Sequence, residues 1–476
     1  MSKFILHSIN SDTKEIHQIE YDNETSYLYD RTKNIQYPNE GLVKKAESNP
    51  YNYNNIAHPL SKDNTIGKTR NFKTLKISFG LKCNYSCEYC SQRFVPEADE
   101  DKDFDVSLFL EKIYSSFDFG ETGENKKIEY WGGEPLIYWN KIVPIAENIR
   151  ERYPKITMSI ITNGSLITKE KADWIDKMGI YIGMSHDGPG QSVRGPNPFD
   201  VPKIKESILY LYGILGPKKM MSFNSMLNNR NTSRAKIQEY FIKFTGDPDV
   251  QIGEGGFIDA YDMGGYGMSL EKSQFKDFSL NAFKEIRQGL CVNFVIVRTK
   301  IVEFLKTFYF GKHSKTISQK CGMDKEDNIA IDLNGDVLTC QNVSSIATAP
   351  NQQSHKIGNI EDFDNIKLNT STHWSHREKC SSCPVLQICQ GSCMFLEGPL
   401  WEASCNNEYH EKIPYLCAVI EHLTSCIPVY IEGDLPEERK DIFGLFENGF
   451  DLNNLNIEEF YQKLECKDNL ETQNAQ

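Results

Sequence analysis

The sequence predicts an α/β protein built on a parallel sheet, with a small β-rich extension before it and a cysteine-rich segment after it. Three observations carry this prediction. Between about residues 73 and 310, short apolar strand patterns alternate with amphipathic helical ones. Fourteen cysteines occur, and seven of them fall between 321 and 405. Residues 1–70 read instead as brief apolar or aromatic runs parted by turn-forming residues.

In the extension the strand candidates are "KFILHSI", "KEIHQIEYD" and "TSYLYDRT", separated by "NSDT" and "DNE". The polar stretch "SNPYNYNNIAHPLSKDNTIGKTRN" leads into the next unit. From 73 to 310 the buried-strand candidates are "TLKISFG", "KIEYWGG", "ITMSIITNG", "GIYIGMSHDG", "KKMMSFNSML" and "VQIGEGG". Helical runs such as "VSLFLEKIYSSF", "NKIVPIAENIRERY", "TKEKADWIDKMG", "IKESILYLYGIL" and "SRAKIQEYFIKF" lie between them. Repeats of this kind imply a parallel sheet, either open or closed into a barrel. Residues 315–426 are rich in Cys, Gly and Ser, with little periodicity before a helix at Glu408–Ser425. Such a segment is expected to need metal to hold a core. Residues 427–476 are acidic and helix-prone, ending in the polar tail "KDNLETQNAQ", which is expected to fray.

The totals narrow the function. A formal net charge of −13 argues against a nucleic-acid surface. No apolar run approaches the roughly 18 residues of a membrane span. The N-terminus "MSKFILHSINSDTKEIH" is neither a signal nor a transit peptide, so a soluble cytoplasmic protein is expected. Disulfides are improbable in that compartment, which leaves metal binding, catalysis or buried packing for the cysteines. Their grouping favours metal: Cys83, Cys87 and Cys90 form one cluster, 321–405 holds another, and only Cys291, Cys417, Cys426 and Cys466 stand outside.

Cys83, Cys87 and Cys90 are spaced C-x3-C-x2-C directly after the first strand pattern. Thiolates select zinc, copper(I) or iron–sulfur clusters. A cubane has four irons, so three cysteines leave one iron open to chelate a small molecule. Ligand sites in α/β folds form at this end of a strand. The alternative, a partial zinc site or three buried thiols, fits that position less well.

With Tyr89 before the last cysteine, this run resembles the radical S-adenosylmethionine enzymes. The resemblance implies a partial (β/α)6 TIM-like barrel and a [4Fe–4S] cluster on Cys83, Cys87 and Cys90. It also implies S-adenosylmethionine chelated to the fourth iron and cleaved to a 5′-deoxyadenosyl radical that takes a substrate hydrogen. Further motifs agree. "WGGEP" at Trp131–Pro135 (Gly132, Gly133, Glu134, Pro135) matches the family element that meets the methionyl amino group. "TNGS", with Thr162 and Asn163, ends the third strand. "SHDGP", with Ser185 and Asp187, ends the fourth and resembles the stretch that helps bind ribose and carboxylate, with Arg194 as a carboxylate partner.

The later cysteines resemble the SPASM extension of that family, down to "IGNI" at 357–360. The resemblance implies two auxiliary [4Fe–4S] clusters, making three in all. Cys321, Cys340 and Cys393 would hold the first, and Cys380, Cys383, Cys389 and a downstream cysteine the second. Cys405 is preferred to Cys417, because Cys405 is expected before the helix and Cys417 within an apolar stretch. The family's further cysteine just before Cys321 is missing in "YFGKHSKTISQKC", so either Cys291 reaches across or one iron stays open.

SPASM-bearing enzymes mostly modify peptides or proteins. Sulfatase-maturating members carry an aspartate base directly after the cysteine matching Cys340, where this sequence has Gln341, an amide that cannot take a proton. The expected function is therefore cross-linking of a ribosomally made precursor peptide. Formylglycine-forming oxidation is the alternative, and a non-enzymatic iron–sulfur carrier the reading from another class. The extension is a candidate for leader-peptide binding, and the electron donor is expected to be a flavodoxin or ferredoxin. Glu254, Asp259 and Asp262 are candidate carboxylates at the barrel mouth, or simply solvated loop charges.

Overall fold

The computed structural model describes residues 3–38, 60–61, 63–96, 104–253, 255–349, 352–368, 372–446 and 449–465. The N-terminal extension is an antiparallel meander of β1 (Lys3–Asn10), β2 (Ile16–Asp22), β3 (Tyr27–Asp30) and β4 (Ile35–Tyr37). A side-chain period of two is plain in β2, where His17, Ile19 and Tyr21 are buried and Gln18 between them is exposed. β5 (Ile66–Gly67) leads to the central sheet.

Strands β6 (Thr74–Ser78), β7 (Lys127–Trp131), β8 (Thr157–Thr162), β9 (Ile180–Ser185) and β10 (Met221–Asn224) pair in parallel and in chain order. Leu75 lies opposite Ile128 and Ile77 opposite Tyr130, all four fully buried. Burying one side chain of this size contributes about 1.5–3 kcal/mol. The crossovers are helical: α1 (Val106–Ser116), α2 (Trp139–Arg152), α3 (Lys169–Met178), α4 (Pro202–Leu215) and α5 (Arg234–Thr245). α3 shows why such a segment forms a helix: Thr168 caps its start by accepting from the Lys171 amide at 3.3 Å. Gly179, at a φ of 60°, ends it in the left-handed conformation.

The sixth strand expected at "VQIGEGG" is reduced to one parallel bridge, between Phe223 and Ile252. Gly253 approaches β10 so closely that a Cβ there would lie 2.3 Å from Asn224 Oδ1. At Gly255, with a φ of 150°, the chain has left the strand conformation.

Residues 315–410, expected to show little periodicity, nevertheless contribute strands to the main sheet. β11 (Asn328–Ile331) joins β6 in parallel, and β12 (Asp336–Leu338) and β13 (Lys356–Asn359) follow antiparallel. The result is one sheet of order β10-β9-β8-β7-β6-β11-β12-β13. Ile329, Ile331, Val337 and Leu338 are fully buried on either side of the turn at Gly335, whose φ is 83°. The turn signal Asn-Gly between two apolar runs was present in "NIAIDLNGDVL". β14 (Lys367–Leu368) pairs with β5.

After α6 (Phe275–Arg287) and α7 (Val295–Phe310) comes α8 (Gly398–Thr424), which begins well before the expected Glu408. A proline in its first turn costs no hydrogen bond, and the helix continues through Pro414. Cys405 therefore lies inside the helix, not before it. The segment expected to be a helical tail opens with β15 (Cys426–Glu432), which pairs antiparallel with β1, Asn10 opposite Cys426. "CIPVYIE" is buried over its first six residues, as suits β-branched side chains in a sheet. Helices α9 (Glu437–Lys440) and α10 (Ile457–Glu465) complete the described chain. The N-terminal meander and β15 thus share one sheet, β15-β1-β2-β3-β4. No helix among the described residues is long and apolar enough to cross a membrane.

Candidate functional site

The loop after β6 presents Cys83 exposed and Cys87 and Cys90 half-buried. Cys83 Sγ accepts from the Tyr85 amide and Cys90 Sγ from the Gln92 amide, each at 3.4 Å. Burial pushes the Cys87 thiol up to about 11, and a metal's charge is what would draw out its thiolate.

Backbone holds this loop in place. The Gly133 amide donates to Gly80 O at 3.0 Å and the Glu134 amide to Lys82 O at 2.9 Å. A Cβ on Gly133 would sit 2.2 Å from Leu81 O, and one on Gly132 would sit 2.9 Å from Gly80 O. The glycines of "WGGEP" thus admit the cysteine loop itself. Glu134 is fully committed as well: it accepts from the Leu136 amide at 3.0 Å, Thr162 Oγ1 at 2.6 Å and the Asn163 amide at 2.7 Å. Pro135, buried, starts the short turn that follows. Asn163 donates to Asn84 Oδ1 at 2.9 Å, and Asn84 to Ser165 Oγ at 2.8 Å, so the loop is also tied to the end of β8.

Asp187, wholly buried, accepts from Tyr89, from Arg194 Nη1 at 3.2 Å and from the Met226 amide at 3.0 Å. Arg194 also donates to the Tyr89 hydroxyl at 2.8 Å. This trio fastens the cysteine loop to the end of β9. Ser185, half-buried, has no such commitment and lines the adjoining cleft.

That cleft, of about 770 Å3, is bounded by Cys87, Tyr89, Cys90, Ser185 and Arg194 on one side and by Cys321 and Gln341 on another. Its inner wall holds residues the sequence reading missed. Lys76 Nζ lies 3.4 Å from Glu129 Oε2 and donates to Gln341 Oε1 at 3.3 Å. Glu129 also binds Lys127 at 2.5 Å and Trp131 Nε1 at 3.1 Å. The signal was there: "TLKIS" and "KIEYW" each set a charge inside an otherwise apolar strand. Of the candidate carboxylates, Asp259 lines the cleft, 3.2 Å from Ser392 Oγ and 3.7 Å from Lys320 Nζ, and burial pushes its carboxyl up. Asp262 instead caps a short helix through the Gly265 amide at 2.8 Å. Glu254 lies outside the described residues.

Seven further cysteines fall into two groups. Burial first, then the charge of Cys321, pushes Cys340 up to about 11, and both act on Cys393 in the same direction. Cys380, Cys383, Cys389 and Cys405 line one cavity with Trp401 and Tyr409. Cys405, on α8, accepts from Arg439 Nη2 at 3.3 Å. Cys417 is fully buried elsewhere, its thiol 3.8 Å from Pro428 O. Cys291 is buried in the main core, where the charges acting on it are those of Arg234 and Glu285. Around the four-thiol cavity, Trp401 Nε1, Arg377 Nε and Arg439 Nε are buried without an acceptor among the described residues. An anionic, sulfur-ligated group fits such a set of donors and thiols.

A family model described as the Radical SAM superfamily matches residues 77–210. The radical SAM cyclopropyl synthase TigE of Paramaledivibacter caminithermalis is 24% identical over 366 residues, 71% of each chain. A cysteine-type anaerobic sulfatase-maturating enzyme of Clostridium perfringens is 23% identical over 342 residues, 65% of this chain and 85% of that one. Native anSMEcpe, solved with bound AdoMet and Cp18Cys peptide, has a TM-score of 0.51 at 19% identity, over 73% of this chain and 99% of that one, which shows a shared fold. The motif order and the parallel sheet beneath it agree with the matched family model, and residues 77–210 form a radical SAM domain.

Proposed function

We propose that this protein is a radical SAM peptide maturase with a SPASM extension, installing a carbon–carbon or carbon–heteroatom cross-link in a ribosomally made precursor peptide. One observation carries the reading: a single cleft is walled by Cys87 and Cys90 on one side and by Cys321 and Gln341 on another, so a substrate within it would meet both cysteine groups. When bound at Cys83, Cys87 and Cys90, a [4Fe–4S] cluster with S-adenosylmethionine supplies a 5′-deoxyadenosyl radical for hydrogen abstraction. The chain's own part is positional. Gly132, Gly133, Glu134, Pro135, Thr162 and Asn163 fix the loop, Tyr89, Asp187 and Arg194 lock its far side, and Ser185 remains free to meet the cosubstrate. Lys76, Glu129 and Gln341 orient the peptide.

In this reading Cys321, Cys340 and Cys393 hold the first auxiliary cluster with one iron open to a substrate group. Cys380, Cys383, Cys389 and Cys405 hold the second. Residues 1–70 bind the leader, which adds to the edge strand β4. A flavodoxin or ferredoxin supplies electrons in the cytoplasm. The TigE relative, named a cyclopropyl synthase, favours bond formation. The sulfatase-maturating relatives favour the second reading, oxidation of a Cys or Ser to formylglycine. Gln341, with its amide oxygen bound to Lys76, offers no base where those enzymes carry aspartate.

Incubating the reduced enzyme with short peptides encoded beside its gene separates the readings. Cross-linking predicts loss of two hydrogens with no aldehyde, whereas a hydrazine-trapped aldehyde reverses the order. Absence of 5′-deoxyadenosine from fully reconstituted, dithionite-reduced protein would point to an electron carrier instead.

A further inference from the structure

The four-cysteine cavity is set apart by the positive charge packed against it. Arg439, only 4% exposed, donates to Cys405 Sγ at 3.3 Å and to Asn406 Oδ1 at 2.7 Å, and lies 4.6 Å over the Tyr409 ring. Arg377 donates to Leu396 O at 2.7 Å and lies 4.7 Å over the Trp401 ring. The Nε of each arginine and the Trp401 indole N–H are buried without an acceptor among the described residues. A buried donor left unpaired is costly, and more so when charged. Three of them beside one thiol cavity mean that their acceptor belongs to whatever the cavity holds. Of the acids nearby, Glu408 acts on Cys389 and is engaged by Lys320 and Lys412, and Glu397 acts on Arg377. At the other auxiliary group both signs of charge are present: Asp259 acts on Cys393 and Asp324 on Cys321, with Lys76 and Lys320 opposing them at Cys321.

We infer that Arg439 and Arg377 raise the reduction potential of a cluster held at the four-cysteine site. This rests on the proposed reading of that group as a cluster site. A fixed positive charge in a dry site lowers the cost of each added electron, and N–H donors to sulfur act in the same direction. Both arginines are positioning residues: Arg439 touches Cys405 and the Tyr409 ring, and Arg377 touches the Trp401 ring.

Anaerobically reconstituted full-length protein, titrated with dithionite and followed by electron paramagnetic resonance, tests this. Arg439→Met is expected to lower the midpoint of one auxiliary signal at unchanged iron content, Arg439→Lys to restore most of it, and Arg377→Met to give a smaller fall in the same signal. The signal is assigned by its loss in Cys383→Ser. Should Arg439→Met shed the cluster, Arg377→Met and Trp401→Phe carry the same comparison. Wild-type midpoints in iron-replete arginine variants overturn the inference alone. If Cys383→Ser with Cys405→Ser removes no iron, the cluster reading of this site falls, and the inference with it.

Discussion

The loop of Cys83, Cys87 and Cys90 and the nest of Cys380, Cys383, Cys389 and Cys405 are both thiol groups, yet one borders a large cleft and the other a small cavity packed with aromatic side chains. Cys83 is exposed, and Cys87 and Cys90 face a cleft of about 770 Å3. Cys380 is 7% exposed, and Trp401 and Tyr409 close over the cavity beside it. The loop is held by backbone hydrogen bonds to "WGGEP", a mode of fixation that leaves its thiols free to face outward. The nest is held by side-chain packing against α8, which removes water. Openness suits a site that binds and releases a small molecule, and dryness suits one that only passes charge. Sequence spacing alone shows three ligands in one place and four in the other; the surroundings make the roles diverge.

The largest effect that can break this contrast is expected from the cysteines. Replacing Cys83, Cys87 and Cys90 together with alanine should abolish 5′-deoxyadenosine formation while the nest keeps its iron. Cys383→Ser should do the reverse, sparing cosubstrate cleavage but not peptide turnover. Chromatography of the nucleoside beside iron analysis checks both. Next in size, Cys405→Ser should release the iron of the nest, whereas Cys417→Ser should retain it and cost only about 1–2 kcal/mol of stability, the effect of a polar atom placed in a dry core. Equal iron contents in the two variants would erase the distinction between them.

Two changes sharpen the account of the open loop. Gly133→Ala forces a methyl to within 2.2 Å of Leu81 O, and is expected to cost about 3 kcal/mol and to lower iron content at the loop selectively. Glu134→Gln exchanges one of the carboxylate's oxygens for a donor facing Thr162 or the Asn163 amide, at about 2 kcal/mol, read as a lower denaturant midpoint. The smallest effect concerns pH. His186, buried against Phe199, is lowered to about 3 by burial, so it folds neutral. Its contribution is therefore whole above the unfolded value near 6.5 and declines as pH falls toward 3. Between pH 7.5 and 5.5 the loss should be about 1.4 kcal/mol. His186→Gln should flatten that part of the unfolding profile, and an unchanged pH slope would exclude His186 as its source.

Much of the site was legible because its motifs are local. C-x3-C-x2-C, "WGGEP", "TNGS" and "SHDGP" each end a strand, and parallel strands in chain order bring such ends together. Glu134, Thr162, Asn163, Tyr89, Asp187 and Arg194 do meet, although they bind one another and the loop where a cosubstrate contact was expected. Lys76 and Glu129 were overlooked, since which face of a strand lines the interior depends on register with β7 and β11. The hairpin of β11 and β12 carried its own Asn-Gly signal, but the cysteines around it drew the reading toward a metal-held segment.

By itself, the sequence determined the parallel α/β sheet, the strand-end motifs and the two cysteine groupings, because hydrophobic periodicity and ligand spacing are properties of neighbouring residues. Only the tertiary structure decided the rest: β15 completing the N-terminal sheet, Cys291 apart in the core, and buried arginines beside one thiol group. Each of these depends on elements separated in the chain meeting in space, where register, burial and charge are set by packing.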